Sequence, residues 1–261
     1  MDLQLGGKKA FVSGSTAGIG LAIASALARE GVDVVINGRT EARVAQAVGK
    51  IRADAKGSVS GIAADAGTRA GTDYLIAQLA DVDVLVNSLG IFEPKSFGEI
   101  SDDDWMRFFE VNVMSGVRLS RAFLPGMLRR NWGRVVFISS ESGFQIPAEM
   151  IHYGVTKSAQ ISVARGLAET TAGTGVTVNS VLPGPTKSEG VDAFVAKLSG
   201  GKSFGEFERE FFTSVRPTSL LKRFESVDEI ASVVAFVCSP LASAINGAAV
   251  RAEGGVLKSA F

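Results

Sequence analysis

Residues 8–31 read KKAFVSGSTAGIGLAIASALAREG: a short apolar run, a glycine-rich turn, and an Ala/Leu-rich segment that stops at Gly31. The run from Lys8 to Ser13 fits a strand buried on both faces, as in a parallel sheet. The segment behind the turn has the composition of a helix, and Gly31 suits its C-terminal end. Between them lie Gly14, Gly18 and Gly20. Glycine lets the backbone reverse tightly and lets a pyrophosphate approach a helix N-terminus, where free N–H groups and the dipole favour an anion. A glycine-rich turn alone is a weak signal; after a strand and before a helix it points to a dinucleotide site.

The alternation continues outward. VDVVIN (32–37) reads as a second strand, TEARVAQAVGKIRAD (40–54) as a second helix and GSVSGIAADA (57–66) as a third strand. A helix over Thr68–Ala80 and a strand within DVDVLVNSLG (81–90) follow, then two helices across Ser101–Arg130 broken near Asn112. RVVFIS (134–139) is a fifth strand, Tyr153–Ala172 a helix, and GVTVNSVLPGP (175–185) a sixth strand with a Pro/Gly exit. Ser226–Cys238 reads as a late helix capped by Ser226 or Asp228, and GAAVRAEGG (247–255) as a last strand. Strands alternating with helices predict an α/β chain: one Rossmann-type domain over residues 1–261, a doubly wound parallel sheet of about seven strands with helices on both faces.

Composition removes several function classes. Lys+Arg and Asp+Glu are both 27, so no net charge draws nucleic acid or an anionic membrane from a distance. No apolar run approaches the length of a membrane span, and MDLQLGGKKAFVSG lacks the pattern of a signal peptide, so the cytoplasm is the expected location. Cys238 is the single cysteine and His152 the single histidine, which excludes an intrachain disulfide and a metal site built from several Cys/His ligands.

A second constellation lies in SSESGFQIPAEMIHYGVTK (139–157). Tyr153 and Lys157 are four apart and share one helical face. A nearby ammonium favours the phenolate, which would bring a phenol of ordinary pKa about 10 toward the range useful for acid–base catalysis. Ser140 lies just after the strand-like run RVVFIS, where its hydroxyl could project toward the same point. A serine hydrolase would need a base, for which His152 is the one candidate, and a G-x-S-x-G elbow, which is absent.

Together these motifs resemble the short-chain dehydrogenase/reductase family, from about Leu5 to Gly255 and in the expected order. Ser13–Gly20 is similar to its T-G-x-x-x-G-I-G motif, with Ser13 in place of threonine, and the resemblance places Gly14, Ser15, Thr16, Gly18, Ile19 and Gly20 at the cofactor. Asn112, Ser140, Tyr153 and Lys157 match the family's Asn-Ser-Tyr-Lys tetrad. It implies that Ser140 and Tyr153 act on the substrate oxygen, that Lys157 holds the nicotinamide ribose and lowers the Tyr153 pKa, and that Asn112 anchors a water in a proton relay. Asp65 and Ala66 resemble the adenine-binding pair, while Asn87 and Gly90 match the ends of an N-N-A-G motif bordering the cofactor. Pro183, Gly184 and Thr186 resemble the turn beside the nicotinamide. Gly38 stands where an acidic residue would select NAD, and Arg39 follows it with a guanidinium suited to a 2′-phosphate, so NADP(H) is expected over NAD(H).

The implied activity interconverts a ketone and a secondary alcohol on a small to medium, largely apolar molecule. The alternatives are a 3-oxoacyl carrier-protein or CoA reductase, for which Arg129 and Arg130 would receive the acyl carrier, and a non-catalytic nucleotide-sensing protein. A sensor would be expected to lose part of the tetrad. Glu141, Glu149, Met150 and His152 flank the catalytic residues and are placed on the substrate side. Residues 185–217 resemble a substrate lid jointed at Gly200-Gly201, in which Phe204, Phe207 and Phe211 at helical spacing either wall the pocket or pack on the core. The resemblance also implies a homotetramer, or a dimer, built on the helices of 101–130 and 153–172. Neither a metal, a nucleic acid nor a membrane partner is expected.

Overall fold

The computed structural model describes residues 2–188 and 203–260. Its strands are β1 (Lys9–Val12), β2 (Asp33–Gly38), β3 (Val59–Ala63), β4 (Val84–Asn87), β5 (Gly133–Ile138) and β6 (Val176–Pro183), a short parallel pair β7 (Thr186–Lys187) and β8 (Glu225–Ser226), and β9 (Ala249–Ala252). Seven of them form one parallel sheet in the order β3-β2-β1-β4-β5-β6-β9. The order reverses between β1 and β4, which opens a crevice at the carboxyl ends of the strands. The helices are α1 (Gly18–Arg29), α2 (Glu41–Arg52), α3 (Arg69–Gln78), α4 (Asp102–Phe109), α5 (Ser115–Arg129), α6 (Ile151–Glu169), α7 (Phe204–Glu210) and α8 (Val227–Cys238). This is the expected single-domain, doubly wound sheet.

Two cores follow from the period of the strands. Val12, Val86, Val136 and Ile138 face one side, with Ile23 and Leu27 of α1 and Val234 of α8. Phe11, Leu85, Val135 and Phe137 face the other, with Leu119 and Met127 of α5 and Ala164 of α6. Alternate residues of the same strand feed opposite layers, so both faces are dry and the strands read as continuous apolar runs.

Hydroxyl residues start most helices: Thr40, Thr68, Ser101, Ser203 and Ser226 each accept a hydrogen bond from an N–H of the first turn. Ser226, rather than Asp228, caps α8, and it forms a reciprocal capping box with Glu229. The break expected near Asn112 is a π-helical turn over Glu110–Met114, so α4 runs into α5 without a loop.

The amino ends of β5 and β6 are tied by Arg134, which is 2% exposed. It donates to the carbonyls of Gly133 (2.8 Å), Gly175 (2.9 Å) and Ser239 (3.4 Å) and to Ser243 Oγ (3.0 Å), and its guanidinium lies 4.7 Å from the Trp132 ring centroid. These bonds join the start of β5 to the residues before β6 and after α8. Removing the donors strands several buried acceptors, so Arg134→Leu is expected to cost about 3 kcal/mol in urea unfolding. Cofactor affinity per folded molecule should stay unchanged, because the site is at the carboxyl ends of the strands; a loss below about 0.5 kcal/mol would contradict this role.

Candidate active site

Ser140 emerges at the carboxyl end of β5, in the middle of the sheet, and α6 carries Tyr153 and Lys157 across it. Three contacts fix this junction. Lys157 Nζ donates to the Ile138 carbonyl at 2.9 Å, Ser139 Oγ donates to the Lys157 carbonyl at 2.8 Å, and Ser158 Oγ donates to the Gly143 carbonyl at 2.5 Å. Glycine permits the close approach: a Cβ at Gly143 would lie 2.9 Å from Ile161 Cδ1, and one at Gly154 would lie 3.0 Å from the Ser142 carbonyl oxygen. The tetrad residues therefore converge. The Tyr153 phenol interacts with the Ser140 hydroxyl, and Lys157 Nζ sits 5.5 Å from the centroid of the Tyr153 ring.

The electrostatics of the site are governed by burial. Burial, together with the negative charge of Glu141, pushes the Tyr153 phenol above its ordinary value, against smaller opposing effects of Ser140 and Arg216. Burial pushes Lys157 down to about 7. Lys157 lies over the ring, and its ammonium is engaged by the Ile138 carbonyl and by Gln160 Oε1 at 3.1 Å. The largest influence on each group is loss of water, not the other's charge.

Asn112 departs from expectation in its side chain. Its Oδ1 accepts from the Ile91 N–H (2.7 Å), and its Nδ2 donates to the Ile91 carbonyl and to Thr156 Oγ1, both at 3.0 Å. Its amide is committed to protein partners, not held ready for a water. Its backbone carbonyl, freed by the π-turn, accepts from Gln160 Nε2 at 2.5 Å. Gln160 was missed in the sequence although the signal was present: it lies one helical turn beyond Lys157 on the same face.

The substrate-side assignments divide. Met150 is half-buried just ahead of α6, and Glu149 is exposed beside it. His152 is fully buried and turned away, its ring 4.0 Å from that of Phe108 and 6.0 Å from that of Trp105. Neither of its nitrogens has a partner, and burial lowers its pKa, so it is a neutral core residue packed on α4. Glu141 is buried too, paired through Oε1 with Arg216 Nε at 2.9 Å. Arg216 gave no sequence signal, standing 75 residues from Glu141.

Much of the expected lid, residues 189–202 with Gly200-Gly201, lies outside the described residues. In the remainder, Phe204, Phe207, Phe211 and Phe212 all gather round Phe224, at centroid distances of 5.7, 6.4, 5.0 and 5.2 Å. They form their own packing cluster. The ring meeting Tyr153 is Phe92, edge-on at 6.4 Å.

The glycine-rich turn suits a dinucleotide. Gly14 and Gly18 have φ of +61° and +56°, and a Cβ at Gly20 would lie 2.4 Å from the Gly14 carbonyl oxygen. Helix α1 starts after Ala17 with no side-chain cap, which leaves its first N–H groups for a ligand anion. Thr16 and Ile19 are partly exposed around this turn. Ser15 is not: its buried hydroxyl donates to the Val12 carbonyl (2.6 Å) and accepts from the Asn37 N–H (2.9 Å), so its side chain holds the turn to β2. Ser13 Oγ likewise accepts from the N–H groups of Ser88 and Leu89, joining β1 to the end of β4.

At the end of β2, a Cβ on Gly38 would lie 2.4 Å from Thr16 Cγ2, and Arg39 is exposed beside it. Asp65 is exposed, accepting from the Gly67 N–H, and Ala66 is buried. Asn87 is buried with Nδ2 bonded to Ser120 Oγ, and Gly90 overlooks Lys157 and Asn112. Among the described residues, no group of three or more His, Cys, Asp or Glu is placed to hold a metal, and no helix is long and apolar enough to cross a membrane.

Beyond β6, Pro183 and Gly184 turn the chain, and Thr186 Oγ1 donates back to the Gly184 carbonyl at 2.9 Å. The Gly184 N–H donates to Glu225 Oε2 at 3.1 Å. Burial raises Glu225 from its ordinary 4.5 to about 7, with smaller contributions from Glu229, Glu253 and Glu141. A carboxyl raised on folding adds stability at low pH that is lost as pH climbs from about 4.5 to about 7. Glu225→Gln should therefore gain on wild type across that window, by about 1–3 kcal/mol above pH 7, in chemical unfolding at a series of pH values. A constant difference between the two proteins would contradict the raised value.

A family model described as short chain dehydrogenase matches residues 8–198. The chain is 49% identical over 264 residues to the Bacillus subtilis oxidoreductase YvaG, covering all of both chains. It is 32% identical to the 3-oxoacyl-[acyl-carrier-protein] reductase FabG of Aquifex aeolicus, covering 98% of this chain and 100% of that one. The structure of L-sorbose reductase from Gluconobacter frateurii, complexed with NADPH and L-sorbose, superposes with a TM-score of 0.92 at 30% identity, over 99% of this chain and 100% of the other. With its parallel sheet, its glycine-rich turn and its convergent Ser140, Tyr153 and Lys157, this chain belongs to the short-chain dehydrogenase family and is an NAD(P)-dependent oxidoreductase.

Proposed function

We propose that the enzyme interconverts a ketone and a secondary alcohol with NADP(H), on a small to medium molecule whose body is largely apolar. The observation that carries the reading is the convergence of Ser140 and Tyr153 at the carboxyl end of β5, one helical turn from Lys157 and beside the glycine-rich turn. The nicotinamide dinucleotide supplies or takes the hydride when bound. Gly14, Gly18 and Gly20 with the free end of α1 would take its pyrophosphate, Asp65 its adenine, and Pro183, Gly184 and Thr186 its nicotinamide side. In reduction, negative charge grows on the substrate oxygen; Tyr153 gives that oxygen a proton and Ser140 steadies it. Lys157 would meet the ribose, and a hydroxyl in place of the present carbonyl contacts would leave its charge better solvated.

Preference for NADP(H) rests on Gly38 and Arg39. The space that a carboxylate would need is filled by Thr16, so nothing repels a 2′-phosphate, and the exposed guanidinium can meet it. The substrate side offers Phe92 against Tyr153 as an apolar wall and Glu149 as the polar group at the rim. The acyl-carrier alternative looks to Arg129 and Arg130 at the end of α5. Arg130 pairs with Asp81 and Asp83 before the amino end of β4, whereas Ser140 follows the carboxyl end of β5. A homotetramer in the cytoplasm belongs to the same reading; Met106 and Phe109, exposed on α4, would be covered in such an assembly.

The test is a homologous series of alkyl and aryl ketones offered with NADPH and, in parallel, NADH. Turnover that rises with apolar size and prefers NADPH is expected; preference for small charged substrates would contradict the reading. A charge-assisted bond to the 2′-phosphate is worth about 1.5–3 kcal/mol, so Arg39→Ala should weaken NADPH by about tenfold or more and leave NADH nearly unchanged. Equal losses for both cofactors would show that Arg39 does not read the phosphate.

A further inference from the structure

Lys157 is buried, and among the described residues its ammonium makes two hydrogen bonds, both to neutral oxygens. One acceptor is the Ile138 carbonyl at 2.9 Å, fixed in β5, and the other is Gln160 Oε1 at 3.1 Å. An ammonium carries three N–H donors, so one is left for a ligand. Its direction depends on the two acceptors already engaged. Ile138 offers main chain; Gln160 offers a side chain, which needs an anchor of its own.

That anchor is the π-turn after α4. Gln160 is 1% exposed, and its Nε2 donates to the Asn112 carbonyl at 2.5 Å. Lysine can only donate and a carbonyl can only accept, so the amide has one orientation here. The Asn112 side chain meets α6 a second time by donating to Thr156 Oγ1 at 3.0 Å, four residues before Gln160 on the same helical face. The ammonium is therefore held between the end of β5 and the π-turn. Gly90, just beyond β4, is its further neighbour: a Cβ there would lie 3.4 Å from Lys157 Nζ and 3.6 Å from Asn112 Oδ1. Glycine keeps that space free of a side chain.

We propose that Gln160 is a positioning residue for the cofactor: it fixes the Lys157 ammonium between β5 and the π-turn, so that the remaining N–H meets the nicotinamide ribose without rearrangement. The inference rests on the reading of Lys157 as the ribose contact. A lysine side chain is long and flexible, and holding it beforehand removes an entropic cost from binding. The nicotinamide ribose is common to both cofactors. Gln160 therefore acts on NADPH and NADH alike, unlike Arg39.

The test is a double-mutant cycle on cofactor affinity, read by the fluorescence of bound NADPH and NADH and counted per folded molecule. Gln160→Met keeps the length of the side chain and removes both hydrogen bonds. Lys157→Met removes the ammonium that Gln160 would position. With Lys157 present, Gln160→Met is expected to weaken both cofactors by about five- to twentyfold. With Lys157→Met it should change neither by more than about twofold, because no ammonium is left to hold. Gln160→Asn, an amide one methylene too short to keep both bonds, repeats the cycle with less disturbance of folding and should give the same pattern. Equal losses in the two backgrounds would make Gln160 a packing residue and overturn the proposal. So would wild-type affinities in Gln160→Met, or a loss confined to NADPH. Unchanged affinities in Lys157→Met alone would instead remove the ribose reading, and this proposal with it.

Discussion

The hydrogen bond from Lys157 Nζ to the carbonyl of Ile138 fixes the geometry of everything at the site. Ile138 is the last residue of β5 and Lys157 lies in the second turn of α6, so this bond locks the strand end to the helix face. Ser140, two residues past Ile138, and Tyr153, one turn before Lys157, are then brought together. The ammonium is buried among neutral oxygens, and loss of water depresses it to about 7. A buried cation held by a carbonyl and an amide is electrostatically unfinished. Ligand oxygens that add hydrogen bonds, or a nearby phenolate, would restore its charge. The same group thus supports the fold and waits for the ligand.

At the cofactor end, rigidity comes from Ser13, Ser15 and Asn37, of which the motif comparison assigns Ser15 to the ligand. Ser13 and Ser15 direct their hydroxyls at neighbouring backbone, and Asn37 Nδ2 donates to the carbonyls of Ile62 and Ala64. These bonds hold β1, β2, β3 and the end of β4 in register, so the glycine-rich turn meets an anion without rearranging. Preorganised N–H groups pay little reorganisation on binding. Beside the turn, a Cβ on Gly38 would lie 2.4 Å from Thr16 Cγ2, so the end of β2 is kept free of a side chain.

The fold was legible because each strand and helix carried its own period and punctuation. Apolar runs such as RVVFIS have no polar alternation and so declare burial on both faces, and Ser226 three residues before Glu229 declares the start of α8. The Tyr153–Lys157 pair was legible through its helical spacing, and the rest of the tetrad through the family resemblance. What the sequence hid depends on contacts between distant residues. Glu141 reads as a polar group beside the serine, yet its partner Arg216 arrives 75 residues later. His152 reads as a neighbour of Tyr153, but adjacent helical positions point about 100° apart, and its side faces Phe108. The phenylalanines of α7 keep helical spacing whether they wall a pocket or surround Phe224, and only the fold separates the two.

The most direct measurement is the turnover of Tyr153→Phe, with NADPH binding followed in parallel. Phenylalanine preserves the ring that packs on Phe92 and Lys157 and removes only the oxygen facing Ser140. Turnover lower by about two to four orders of magnitude, with cofactor affinity nearly intact, is the predicted result. A variant that keeps more than about a tenth of wild-type kcat would show that the proton is carried by another group.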